Sequence, residues 1–242
     1  MKTLSFKYLF LIVLLLLSSS INSYAANARW VGESFKSAPC RGGNQGYGPF
    51  DYLTRSNYPK ELHLVESTHF LPNMENLLSF QNHTGHLVGD LDYTLRAWPN
   101  HHRALNSIMR YKLLYPRKRN PLSPVECYFQ RGINFSPDDA TLRMLYAIFL
   151  QKTNHKNSAE TQYKIAIELS PKNPVIRYNY GLFLFKQKQY PLAQQQAVLA
   201  YDANFPLSGL KNKLKRVKYW PPKKVAEPVE KINPSTSQPK NK

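Results

Sequence analysis

The chain is short of acidic residues, of cysteine and, past its first 25 positions, of long apolar runs. Its 242 residues include 15 Asp and Glu against 33 Lys and Arg, a formal net charge of +18. A field of that sign disfavours cationic partners and favours anionic ones. Cys40 and Cys127 are the two cysteines, and neither lies in a recognisable nucleophile motif, which argues against cysteine-based catalysis. Apart from the amino terminus, no segment is apolar enough to cross a membrane. Glycine is also scarce, with 10 in all, and four of them fall in residues 40–49. That stretch shows neither the strand before it nor the helix after it that a phosphate-cradling loop requires, so it reads as an ordered loop.

Residues 1–25 carry Lys2 and Lys7, an apolar run over 8–17, and small residues ending at Ala25. This is the pattern of a secretory signal peptide cleaved after Ala25, and the apolar run is too short to span comfortably. The remaining chain holds 31 basic residues against 15 acidic ones. In an exported protein such a balance points to envelope polyanions rather than nucleic acid; a solvated basic surface is the plain alternative. In an oxidising compartment two lone cysteines most simply pair, tying the amino-terminal segment to the helical part. Two buried free thiols are the alternative.

Residues 26–99 are expected to form a largely irregular segment packed on the helical part of the chain, with a short strand over 62–65 and a helix over 73–80. Between residues 89 and 115 polar chemistry is concentrated: Asp90, Asp92, Arg96, His101, His102 and Arg103. Pro99 and Asn100 suit a helix start, with Asn100 as the cap. Two Asp and two His invite a metal or acid–base reading, with Asp92 and His101 as the pair. Adjacent histidines on a helix point about 100° apart, however, so the pair suits one ion poorly. Asp92 paired with Arg96 or Arg103 is the structural reading; an anion held by Arg96, His102 and Arg103 is a third. A basic loop comes next, with Arg117, Lys118 and Arg119 between prolines.

From residue 140 onward the chain repeats with a period of 34. Leu142 falls on Ile176, Tyr146 on Tyr180, Ala147 on Gly181, Leu150 on Leu184, Ala159 on Ala193, Ala166 on Ala200, and Pro137 on Pro171. Each unit divides into two amphipathic helices whose small residues permit close approach. These residues resemble the tetratricopeptide repeat. Two departures stand out: Arg143 and Arg177 occupy the family's tryptophan positions, and Phe205 stands where the second unit's closing proline belongs. Residues 100–135 supply a degenerate third unit, with Phe129, Gly132 and Pro137 in phase. The segments around Asp51, His69, Asp92 and His101 are also similar to a group of exported Gram-negative bacterial proteins with such repeats. That resemblance implies a periplasmic location and supplies no chemistry.

The expected fold is therefore mainly α: a short tetratricopeptide-like solenoid over residues 100–206, a closing helix over 207–220, and a disordered basic tail over 221–242. The resemblance implies that the first helices of the repeats line a concave face. On it would stand Met144, Ile148 and Lys152 from one unit and Tyr178, Asn179, Leu182 and Lys186 from the next. The expected function is a non-enzymatic periplasmic adaptor for a protein or peptide, without cofactor or metal. The alternatives are an envelope polyanion binder using the basic loop and closing helix, and a metal-binding or hydrolytic protein built on the Asp/His cluster. Coverage of the repeat face by residues 27–90 would leave no groove.

Overall fold

Side chains that satisfy unpaired backbone N–H groups mark where several helices of this chain begin. In a computed structural model, residues 28–78, 86–116 and 122–221 are described. A 3-10 turn over Tyr52–Asn57 is followed by α1 (Pro59–His69), α2 (Pro72–Glu75), α3 (His86–Ala97), α4 (His102–Leu114) and α5 (Val125–Phe135). Then come α6 (Ala140–Lys152), α7 (Lys156–Leu169), α8 (Pro174–Lys186), α9 (Tyr190–Asp202) and α10 (Gly209–Arg216). The chain forms two compact units, divided between Pro171 and Lys172. The fold is mainly helical and built on repeated helix hairpins, α6/α7 in the first unit and α8/α9 in the second.

Capping repeats with the same period as the core. The Asp139 side chain accepts from Leu142 N at the start of α6, and Asn173 accepts from Val175 N and Ile176 N at the start of α8. Both are strong N-cap residues. At the start of α4 the cap is His101, whose ring accepts from Ala104 N, and not Asn100 as expected. Asn100 is fully buried and works sideways instead: its carbonyl accepts from Tyr52 N, and its amide donates to Asp51 and Asp139. The hairpin turns also match. His155 N donates to Leu150 O past Asn154 at φ 68°, and Gln189 N donates to Leu184 O past Lys188 at φ 61°. This is the left-handed helix stop that glycine or asparagine usually fills.

Within the first unit α1 packs on α3, α3 on α4, α4 on α5 and α6, and α6 on both α5 and α7. In the second, α8, α9 and α10 pack on one another. Small residues set the spacing. A Cβ at Gly181 would lie 2.4 Å from Leu210 Cδ2, so the bare position lets Leu210 of α10 seat closely on α8. A Cβ at Gly132 would lie 2.6 Å from Pro99 O, which fixes α5 against the loop before α4. The tryptophan position of the repeat is rebuilt in both units. Arg143 Nη1 donates to Gln162 at 3.2 Å, and Arg177 Nη1 donates to Gln196 at 2.8 Å. Each is a clamp between the two helices of a hairpin.

Several expectations change. Residues 62–65 lie inside α1 and are not a strand, because Leu62 and Val65 pack on the Trp98 cluster from one helix face. The helix expected over 73–80 is a single turn, Pro72–Glu75, and residues 79–85 lie outside the described residues. The segment before residue 99 is irregular over 28–51 and mostly helical over the described residues 52–78 and 86–97. The closing helix spans Gly209–Arg216 rather than 207–220, with Leu210 and Leu214 buried and Val217 already in its C-cap. Residues 1–27, the basic loop at Arg117–Arg119 and residues 222–242 lie outside the described residues. Among the described residues no helix is long and apolar enough to cross a membrane.

Cys40 and Cys127 form a disulfide between the irregular segment and α5, closing a span of 87 residues. In the chain-entropy model that bridge stabilises by about 4–5 kcal/mol. Urea titration of the oxidised protein and of a Cys40→Ser/Cys127→Ser variant is expected to differ by a large part of that amount. Lys188 occupies the left-handed region with a Cβ that glycine would not carry. Lys188→Gly is expected to raise stability by about 1 kcal/mol, read as a shifted urea midpoint at unchanged slope.

Candidate functional site

The polar cluster singled out in the sequence sits in the first unit, at the amino-terminal ends of α4 and α6 and along α3. Helical geometry sends its members to different partners. Asp90 accepts from the His69 ring at 2.8 Å. Two residues on, Asp92 takes Arg96 Nε at 2.8 Å on one oxygen and the Tyr128 hydroxyl at 2.5 Å on the other. The expected Asp92–Arg96 pair is present, whereas Arg103 bonds Glu75 and Glu66 instead of Asp92. Arg103 stands on α4 and faces α1 and α2, a pairing that carries no signal in the sequence.

His101 and His102 diverge: His101 is the extended N-cap of α4, and His102 is the first residue of the helix. The His101 ring is fully buried: Nδ1 accepts from Ala104 N at 3.1 Å, and Nε2 lies 2.9 Å from Glu66 Oε1. An acceptor at Nδ1 requires the proton on Nε2, so the ring is neutral and donates to Glu66. Burial lowers the His101 pKa below its ordinary 6.5, and the bond from His101 holds Glu66 below its ordinary 4.5. Arg103 is raised, chiefly through its bond to Glu75. The His102 ring reaches Asp139 Oδ2 at 2.7 Å, while Asp139 Oδ1 caps α6. One buried carboxylate thus joins the starts of α4 and α6. Both His101 nitrogens are committed, and Asp92 and His101 serve separate networks. The arrangement brings no nucleophile, base and orienting group together. Among the described residues no three His, Cys, Asp or Glu side chains are grouped to hold a metal ion.

Beside this cluster lies a group whose role was not legible in the sequence. Arg131 on α5 is buried, and its guanidinium donates four times: Nε to Ala28 O, Nη1 to Leu95 O, and Nη2 to Gln45 Oε1 and Arg96 O. It also stacks on the Trp30 ring, and burial lowers its pKa to about 10. Gln130 bonds both the N–H and the carbonyl of Glu33, and Glu126 accepts from Phe35 N. Residues 28–50 are thus bound to α3 and α5, and Phe35 stacks on His155 at the α6–α7 turn.

The residues expected on the repeat face fall into two groups. Met144 and Tyr178 are buried, with 6% and 8% of their surface exposed. Tyr178 packs its ring on Phe205 at 4.4 Å, so the residue that replaces the closing proline anchors the end of α9 to α8. Ile148 on α6 and Leu182 and Asn179 on α8 are half-buried, and Lys152 and Lys186 are exposed. Asn179 donates its amide to Val175 O at 2.8 Å, one turn back on the same helix.

A family model described as tetratricopeptide repeat matches residues 163–195, from the middle of α7 through α8 into α9. The match and the 34-residue hairpin period support assignment of these hairpins to the tetratricopeptide-repeat family. Comparison with curated proteins returned no match.

The neutral, buried His101 predicts a specific acid response. Its folded pKa lies below 6.5, so its contribution is complete above pH 6.5 and is lost as pH falls from there towards the folded value. Glu66 adds stability above pH 4.5 that is lost as pH falls through its lower folded value. His101→Asn retains a capping acceptor and removes the titrating ring. Urea midpoints between pH 7 and 5 are expected to fall for the parent, by up to about 1.4 kcal/mol per pH unit for one proton. For the variant they should fall less.

Proposed function

We propose that the chain is a non-enzymatic, exported scaffold that holds a protein or peptide partner in the periplasm through the exposed face of the first helices of its repeats. Tetratricopeptide repeats are protein-interaction modules, and the match over residues 163–195 supports that role at the level of class. The observation that carries the finer reading is the stripe on α8. Asn179, Leu182 and Lys186 succeed one another at helical spacing and keep accessible surface, while Ile176, Tyr180, Phe183 and Leu184 around them are buried. The stripe offers an amide, an apolar side chain and a cation, the set needed to meet a peptide backbone, an apolar side chain and an acidic group. On α6, Ile148 and Lys152 repeat the apolar–cationic pair. Met144 and Tyr178 support this surface from within rather than touching a partner. The signal-like residues 1–25 and the Cys40–Cys127 disulfide support an oxidising location.

The test is crosslinking capture from the cell envelope with the full chain and with Asn179→Ala/Leu182→Ala. The parent is expected to enrich a discrete protein that the variant loses by about 10-fold or more, with unchanged thermal unfolding. Equal capture by both forms would sink the reading. So would enrichment of abundant polyanions alone, abolished by modest salt.

A further inference from the structure

The second unit carries a charge imbalance that a peptide-holding face on α8 does not use. Residues 172–221 contain nine Lys and Arg and a single acid, Asp202. Five of the nine lie within eight positions: Lys211, Lys213, Lys215, Arg216 and Lys218. The helix α10 holds the first four, and its apolar residues Leu210 and Leu214 are buried. Since those two sit about 40° apart on the helical wheel, Asn212, Lys215 and Arg216 point away from the unit, with Lys211 and Lys213 at the sides. Lys213, Lys215, Arg216 and Lys218 are exposed.

Amphipathic aromatic and apolar groups rim the cationic face. Lys211 lies over the Trp220 ring at 5.6 Å, and Lys213 lies over Phe185 at 5.8 Å. Trp220 meets Tyr201 edge-on, and Tyr219 packs on Tyr190. Leu207, just before the helix, is 58% exposed, and Leu199 on α9 is 48% exposed.

We propose that this face docks on an anionic phospholipid surface. The cations supply long-range attraction to a negative leaflet, about 1 kcal/mol for each Lys or Arg near it. Trp220, Tyr219 and Leu207 supply shallow apolar contact of the kind that aromatic residues make at the headgroup level. The buried Leu210 and Leu214 are committed to α8 and α9, so α10 lies on the surface without entering it. A soluble polyanion would satisfy the cations and leave the exposed leucine and the aromatic rim unused. That difference favours the bilayer. The proposal is independent of peptide binding through α8, since Asn179→Ala/Leu182→Ala leaves these residues in place.

The experiment is co-sedimentation of the full chain with vesicles of phosphatidylglycerol and phosphatidylethanolamine, against phosphatidylcholine vesicles, in low salt. Binding is expected to the anionic vesicles only. It should weaken by roughly 30-fold or more in Lys215→Glu/Arg216→Glu, whose side chains are exposed, with circular dichroism confirming the fold. Tryptophan emission should shift to the blue on binding, and Trp220→Phe should abolish the shift while retaining most of the sedimentation. The Asn179→Ala/Leu182→Ala form should bind vesicles like the parent. No binding to anionic vesicles, or binding unchanged by the charge reversal, would overturn the proposal. Full displacement by polyglutamate without any emission shift would also overturn it, and would assign the face to soluble acidic partners.

Discussion

The buried guanidinium of Arg131 is the contact on which the first unit depends. A charge removed from water costs several kcal/mol unless its hydrogen-bonding capacity is met. Arg131 meets it with four oxygens drawn from three distant stretches: Ala28, Gln45, and Leu95 with Arg96. Leu95 and Arg96 lie at the carboxyl end of α3, where carbonyls have no intrahelical partner and the helix dipole favours a cation. One side chain therefore ends α3, fixes the irregular amino-terminal segment and holds both to α5. The Cys40–Cys127 disulfide and the Gln130–Glu33 bonds fasten the same segment to the same helix. Trp30 covers the guanidinium and meets Tyr128 edge-on, and Tyr128 in turn donates to Asp92.

A second constraint runs through the repeats. Where the family places tryptophan, this chain places arginine, and a half-buried guanidinium needs an acceptor where an indole needs only apolar contact. Gln162 and Gln196 supply it at the same offset of 19 residues in both units. Small residues then let the helices of each hairpin close: Ala147 with Ala159 and Ala166 in one, Gly181 with Ala193 and Ala200 in the other. The same solution appears twice because both hairpins face the same packing problem.

The two units use charge differently. In the first, Glu66, Glu75, Asp90, Asp92 and Asp139 all hold a basic or ring nitrogen partner, and the Asp/His/Arg cluster closes helix ends. Its titratable groups, adjacent in sequence, bond to separate partners across helix ends. In the second unit Lys211 and Lys213 of α10 lie over aromatic rings.

The repeat period, the small residues and the amphipathic spacing by themselves determined the hairpins α6/α7 and α8/α9. Each depends on contacts within about 34 residues, so local pattern and packing agree. The pairing of Cys40 with Cys127 was legible too, since a chain with two cysteines has one simple choice. The capping role of Asp139 carried a signal, because Asn173 stands 34 residues later, immediately before an equivalent helix. Only the tertiary structure decided the rest. Arg131 looks like an ordinary polar residue on an amphipathic helix until residues 35 to 103 positions away supply its oxygens. His101 became a cap, and Asn100 did not, because Tyr52, Asp51 and Asp139 had claimed the asparagine. Met144 and Tyr178 share the helical phase of accessible residues, and burial separated them from Ile148, Asn179 and Leu182. Periodicity states which face of a helix a residue occupies, and only the packed neighbours decide whether that face meets water.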